Sequence, residues 1–115
     1  MGQNRNKLMQ LMIGNLVNVV VHRLLEETVK EDILRDHYNK ESLHSLEISK
    51  RYREKINPIQ RELPEKDVEK IKEEVLRRAK KELRLRTSKG YQGIELDKIE
   101  DILEKILQEL SISGY

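Results

Sequence analysis

The cations are the most ordered of the residues able to do chemistry. At about 100° per residue, Lys66, Glu69, Lys70, Glu73, Arg77, Lys80, Lys81 and Arg84 fall on one stripe of a helix. The first half of that stripe alternates in sign, and the second half is wholly basic. A run of cations on one face suits a phosphate backbone, because each neutralised phosphate releases condensed counterions. Local pairing accounts for part of the run: Glu73 and Glu74 stand four residues before Arg77 and Arg78, the favourable order for ion pairs. Arg84, Arg86 and Lys89 lie near the end of the segment, where the helix macrodipole favours positive charge. Lys80 and Lys81 have no such local explanation, unless Asp101, Glu104 or Glu109 reaches them from a later segment. A second basic run, Lys50, Arg51, Arg53 and Lys55 around Tyr52, extends the patch if the two segments are neighbours. The candidate nucleic-acid contacts are therefore Arg77, Lys80, Lys81, Arg84, Lys50, Arg51 and Arg53, with DNA and RNA undistinguished. The four tyrosines are the only aromatics besides histidine, so platforms for base stacking are few.

Other chemistries find less support. Glu41 and His44 have the Glu-x-x-His spacing that puts a carboxylate and an imidazole on one helical face in di-iron bundles. Such a site needs a second motif, which only a homodimer supplies, with Glu27 or Glu31 as further ligands. In a chain this rich in glutamate the spacing arises easily by chance, so no metal site is expected. No arginine is followed five residues later by a histidine, the spacing of helical HEPN-type ribonucleases; five beyond Arg35 stands Lys40. Arg35, Asp36, His37 and Tyr38 then read as a helix end. The glycines of the segment from Ser88 to Gly93 are accounted for by turn geometry, with no strand before them to make a phosphate loop. Without cysteine there is no thiolate nucleophile, disulfide or Cys-based zinc site. The expectation is a protein with no catalytic site, no cofactor and no small-molecule substrate.

Composition bounds the setting. A chain of 115 residues makes one domain with a real core. Charged residues reach 38%, yet the net charge is only +2, so self-repulsion is small and the strong apolar periodicity argues for a folded chain. Lack of cysteine fits a reducing cytoplasm, and abundant Lys, Glu and Arg resembles heat-adapted composition. The apolar run from Leu8 to Val21 is interrupted by Gln10, Asn15 and Asn18 and is shorter than the ~20 residues a membrane span requires, so it reads as a core helix. A membrane-surface role is also disfavoured, since neither Trp nor Phe is present to anchor an amphipathic face.

These groups need helices to position them. Between Gly14 and Pro58 there is neither Gly nor Pro. The pattern predicts a first helix from about Asn6 to Tyr38, bent near Lys30, and a second starting at Asn39 or Ser42 and ending near Ile56, with Ile48, Tyr52 and Ile56 on one face. Pro64 opens a third, with Val68, Ile71, Val75, Ala79 and Leu83 buried, which ends near Ser88 and Gly90. Asp97 and Glu100 have capping-box spacing for a fourth, with Ile99, Ile102, Leu103, Ile106 and Leu110 on its stripe, and Ser111 to Tyr115 are expected to fray. The fold class is all-α: a small bundle of four main helices in one domain over residues 1–115, made of a hairpin over 1–57 and a hairpin over 64–115. The first helix is apolar around most of its circumference, leaving only Gly14, Asn15, Asn18 and His22 polar. Such a helix must be surrounded, and a second copy of the chain is one way to do it. Leu16, Val20, Gly14, Asn15 and Asn18 are accordingly the candidate seam of a homodimer. On this reading the chain is a non-catalytic homo-oligomeric interaction or scaffold protein, with nucleic-acid binding through the basic half of the third helix as the alternative.

Overall fold

In the computed structural model, which describes residues 5–56, 63–110 and 112, the chain forms four helices. They are α1 (Arg5–Thr28), α2 (Asp32–Ile56), α3 (Glu65–Ser88) and α4 (Ile99–Glu109), with a 3-10 turn over Leu96–Lys98 leading into the last. No strand occurs among the described residues, so the fold is the small all-α bundle that the periodicity predicts.

Helix α1 is the axis. Its apolar residues from Leu8 to Leu25 are buried except Leu11, which is 36% exposed, and Met12, Ile13, Leu16, Val19, Val20 and Leu25 have no exposed surface at all. Each large aliphatic side chain contributes about 1.5–3 kcal/mol when taken out of water, so the helix carrying most of them takes the centre. α2 runs antiparallel to it: the Asn39 amide donates to the Glu26 carboxylate at 3.1 Å, and the His22 and Tyr38 rings stack at 5.8 Å. α3 runs parallel to α1 on another side, with Arg5 paired to Asp67 near the two N-terminal ends and Gly14 facing Arg78 farther along. α4 lies across the other side of α1, tied to α3 by Lys72–Glu104 at 3.0 Å and to α1 by Arg23–Glu109 at 3.0 Å. The result is a four-helix bundle with α1 as its common core.

The α1–α2 connection differs from the predicted bend. The break at Val29–Glu31 is complete, and Asn39 and Ser42 lie inside α2 and start no helix. A single helix to Tyr38 would carry its second half away from α1 and leave one side of α1 in water; folding back buries that side, which outweighs local propensity. Arg35 seals the turn by donating to the Val29 carbonyl at 3.1 Å, and Asp32 occupies the first turn of α2, where the dipole favours an acid.

α2 meets α1 with a surface of unusual composition: Tyr38, Ser42, Ser45, Leu46, Ser49 and Arg53 are buried, while Ile48, Tyr52 and Ile56 are only partly so. Three small serines allow close approach of the two helices. The hydroxyls of Ser42 and Ser49 donate to the Asn39 and Ser45 carbonyls of their own helix at 2.9 Å, so burial leaves them satisfied. Arg53 therefore cannot be the exposed nucleic-acid contact proposed from its basic neighbours. It follows Ser42, Ser45 and Ser49 at three- and four-residue spacing onto the α1-facing side, where it is 1% exposed.

The remaining ends follow the sequence with two corrections. α3 starts after Pro64 and stops with Gly90 at φ +104°, and the Tyr91 amide donates back to the Arg86 carbonyl at 3.1 Å, a Schellman-type stop. Asp97 makes no capping hydrogen bond, because it lies within the 3-10 turn that precedes α4. Ile112 is docked instead of frayed: it is buried, and its amide donates to the Leu107 carbonyl at 2.8 Å. Residues 111 and 113–115 lie outside the described residues. By length and composition alone α1 could cross a membrane, but 61% of its most apolar window is buried inside the bundle.

Candidate nucleic-acid interface

The buried stripe of α3, Ile71, Val75, Ala79 and Leu83, turns its opposite face to solvent. Arg77, Lys81 and Arg84 are exposed on that face, and Lys80 is partly exposed. Arg77 is held by Glu74 at 2.8 Å, one helical turn earlier. Arg78, Lys80, Lys81 and Arg84 have no ion-pair partner among the described residues, and three of the nearby acids are engaged elsewhere. Glu74 has taken Arg77, Glu104 has taken Lys72 and Glu109 has taken Arg23. Four uncompensated cations thus lie within two turns of one helix.

Between α1 and α3 runs a groove of about 410 Å³, lined by Gly14, Val17 and Asn18 on one side and by Arg77, Arg78, Lys81, Glu82 and Leu85 on the other. Glycine at position 14 keeps its floor low. A Cβ there would meet only the Arg78 guanidinium, at 3.8 Å. The acids of this region are drawn off to other cations, Glu82 to Arg86 at 3.6 Å and Glu74 to Arg77, which leaves Arg78 and Lys81 as net positive charge facing the opening. Low-dielectric walls beside charges of one sign concentrate the field and attract counter-charged ligands. Residues assigned from sequence to two different roles, the polar stripe of α1 and the basic face of α3, are brought together along this one groove.

The α1 stripe continues to His22, one turn beyond Asn18 and past the groove lining, where it meets three other elements. His22 stacks on Tyr38 of α2, whose hydroxyl meets that of Tyr91 at 3.4 Å, and the Arg86 guanidinium lies 5.7 Å from the Tyr91 ring centre. Burial lowers the His22 pKa below 6.5; the nearby Arg86 and His37 act in the same direction, while the Asn18 backbone and Glu41 oppose them. The two tyrosines are pushed apart. Burial and the hydrogen bond to Tyr91 raise Tyr38, whereas Tyr91 is lowered first by the Tyr38 hydroxyl and then by Arg86 and Lys89.

The other sequence-derived candidates fall elsewhere. Lys50 and Arg51 are exposed on α2, which packs along α1 and not along α3, so the second basic run does not extend the α3 patch. Leu16 and Val20 are enclosed within a single chain, as core residues with no surface left for a dimer seam. Gly14 and Asn15 are partly exposed and Asn18 is exposed; the Asn15 amide donates to its own helix, to the Leu11 carbonyl at 2.9 Å. Glu41 and His44 are exposed on α2, and no group of three metal-ligating side chains occurs among the described residues. Sequence reasoning passed over Arg78 because Glu74 offered it a partner. Its place on the helix, about 100° from Arg77 towards the buried side, was the available signal that it borders α1.

Compared with models of known families, with curated proteins and with solved structures, the chain gives no match.

Proposed function

We propose that this protein binds nucleic acid through its phosphate backbone, using the cationic face of α3 and the groove that this face forms with α1. The observation that carries the reading is the set of four cations without acidic partners, Arg78, Lys80, Lys81 and Arg84. This chain has 21 acidic residues, and among the described residues none pairs with these four. A stretch left uncompensated among so many acids is suited to an external polyanion. Most of the apolar circumference of α1 is covered by its own chain, with Leu11 exposed, so the homo-oligomer reading is not the one we favour.

Four phosphate contacts give a slope of log affinity against log salt of about −2.8 to −3.6. Between 50 and 200 mM salt the affinity should fall roughly 50- to 150-fold. The test is a salt titration of binding to generic DNA and RNA, with the oligomeric state followed in parallel. Changing Lys81 and Arg84 to Glu should weaken binding across all sequences and reduce the slope by about 1.4 to 1.8, with melting temperature unchanged or raised. Absence of binding by the wild-type protein at low salt overturns the reading.

A further inference from the structure

We infer that the favoured ligand of this surface is a single-stranded nucleic acid, one of whose bases stacks on Tyr91 just past the cationic groove; this rests on the nucleic-acid reading above. Tyr38 is buried and Tyr52 is half-buried against the core, whereas Tyr91 is 37% exposed. Tyr91 is also held in place. Its backbone is fixed by the helix stop, through the amide bond to the Arg86 carbonyl. One ring face is covered by the Arg86 guanidinium, and the hydroxyl edge is anchored on Tyr38, itself stacked on His22. A contact between the residue after the glycine and the helix end is usual for such a stop. The hydroxyl anchor to a buried tyrosine of another helix is not part of that motif, and it restricts rotation of the ring.

A ring held by one face and one edge offers its other face to solvent without losing side-chain freedom on binding. The ring is also well placed. Arg86 stands five residues beyond Lys81, about 7.5 Å of helix rise, and the α1 stripe of Gly14, Asn18 and His22 leads from the groove towards the same cluster. A cationic track ending at an oriented aromatic face is the arrangement by which proteins hold single strands, the charges following phosphates and the ring taking a base of any identity. In a regular duplex the bases are stacked on one another and cannot reach such a ring without unpairing, so the duplex gains only the electrostatic part.

The experiment compares three labelled probes of about 16 nucleotides at one low salt concentration: oligothymidylate, an abasic strand with the same phosphates, and a duplex. Oligothymidylate should bind about 5- to 150-fold more tightly than the abasic strand, and Tyr91→Ala should remove most of that difference while leaving the abasic affinity unchanged. Tyr91→Phe, which keeps the ring, should retain most of the preference. Equal affinity for the three probes, or a preference that survives Tyr91→Ala, overturns the stacking inference and leaves the phosphate reading standing. No binding to any probe overturns the phosphate reading itself. The oligothymidylate and abasic comparison uses wild-type protein, so it decides the matter even if a Tyr91 variant folds poorly.

Discussion

Replacing Gly14 by alanine should stabilise the protein, contrary to the usual expectation for a glycine beside another helix. Gly14 lies in the interior of α1, where glycine costs about 0.8–1.0 kcal/mol relative to alanine through backbone freedom. Most helix-contact glycines repay that cost by allowing a close approach that a methyl group would prevent. Here the only heavy atom a Cβ would meet within 4 Å, outside its own helix, is the Arg78 guanidinium at 3.8 Å, an ordinary van der Waals distance at the end of a flexible side chain. The propensity gain is therefore unopposed, at about 0.8 kcal/mol. With an unfolding entropy of about 2.1 cal/mol/K per residue over 115 residues, the midpoint should rise by about 3 °C. Thermal denaturation followed by circular dichroism at two protein concentrations measures it. A loss of 1 kcal/mol or more, or a midpoint that becomes dependent on concentration only in the wild type, would refute the reasoning, because it would mean that something closer than Arg78, such as a second copy of α1, rests on Gly14.

Two further predictions test other parts of the structure. His22 has a folded-state pKa below 6.5, so between that value and 6.5 the unfolded chain binds more protons; its contribution to stability is present above 6.5 and is lost as pH falls through the folded value. Urea midpoints measured from pH 7 downwards should fall, and a His22→Gln variant should show a shallower fall; an unchanged pH profile would remove His22 from the account. At the α1–α2 contact, Ser49→Ala should cost under about 1 kcal/mol because donor and acceptor lie in the same helix, whereas Ser49→Leu should cost about 1–3 kcal/mol by forcing the helices apart, a contrast that denaturant titration reads directly.

What was legible in the sequence is the part governed by apolar spacing. Most buried residues of α1, α3 and α4 coincide with the stripes read at three- and four-residue intervals, because a large aliphatic residue has only one favourable place to go; the exceptions are a half-exposed Val68 and the buried Asp67 and Leu107, which those stripes left out. α2 was the least legible helix. Its contact with α1 is made by serines and one arginine, residue types that carry no hydrophobic signal, and its start is fixed by what α1 needs covered more than by any cap. The groove was half legible for a similar reason. Arg77, Lys81, Gly14 and Asn18 were each singled out, but for separate roles, since sequence shows which residues share a helix face and not which two helices lie side by side.

The groove itself follows from how α1 is covered. Three helices of the same diameter cannot close a ring around a fourth, so one side of α1 must remain open once α2, α3 and α4 are in place. That open side is mostly polar or small, and it is here that α1 carries Lys7, Gln10, Gly14, Asn15, Asn18 and His22, with Leu11 the one exposed large apolar residue of the helix. The polar stripe is thus sufficiently explained by topology, and by itself it argues for no ligand. The same explanation does not extend to the wall provided by α3. An open seam between helices is served equally well by acids, by cations or by alternating charge, as in the first half of α3, where Lys66, Glu69, Lys70 and Glu73 mix both signs. Only beside Gly14 and Asn18 does the wall carry a net excess of cations, with Arg78 and Lys81 left over after Glu74 and Glu82 are paired. Repulsion among these cations costs the isolated protein stability, and a bound polyanion would relieve it. Binding and stability should therefore be coupled: oligothymidylate at low salt should raise the melting temperature of the wild type, and should raise it little once Arg78 and Lys81 are changed to glutamine.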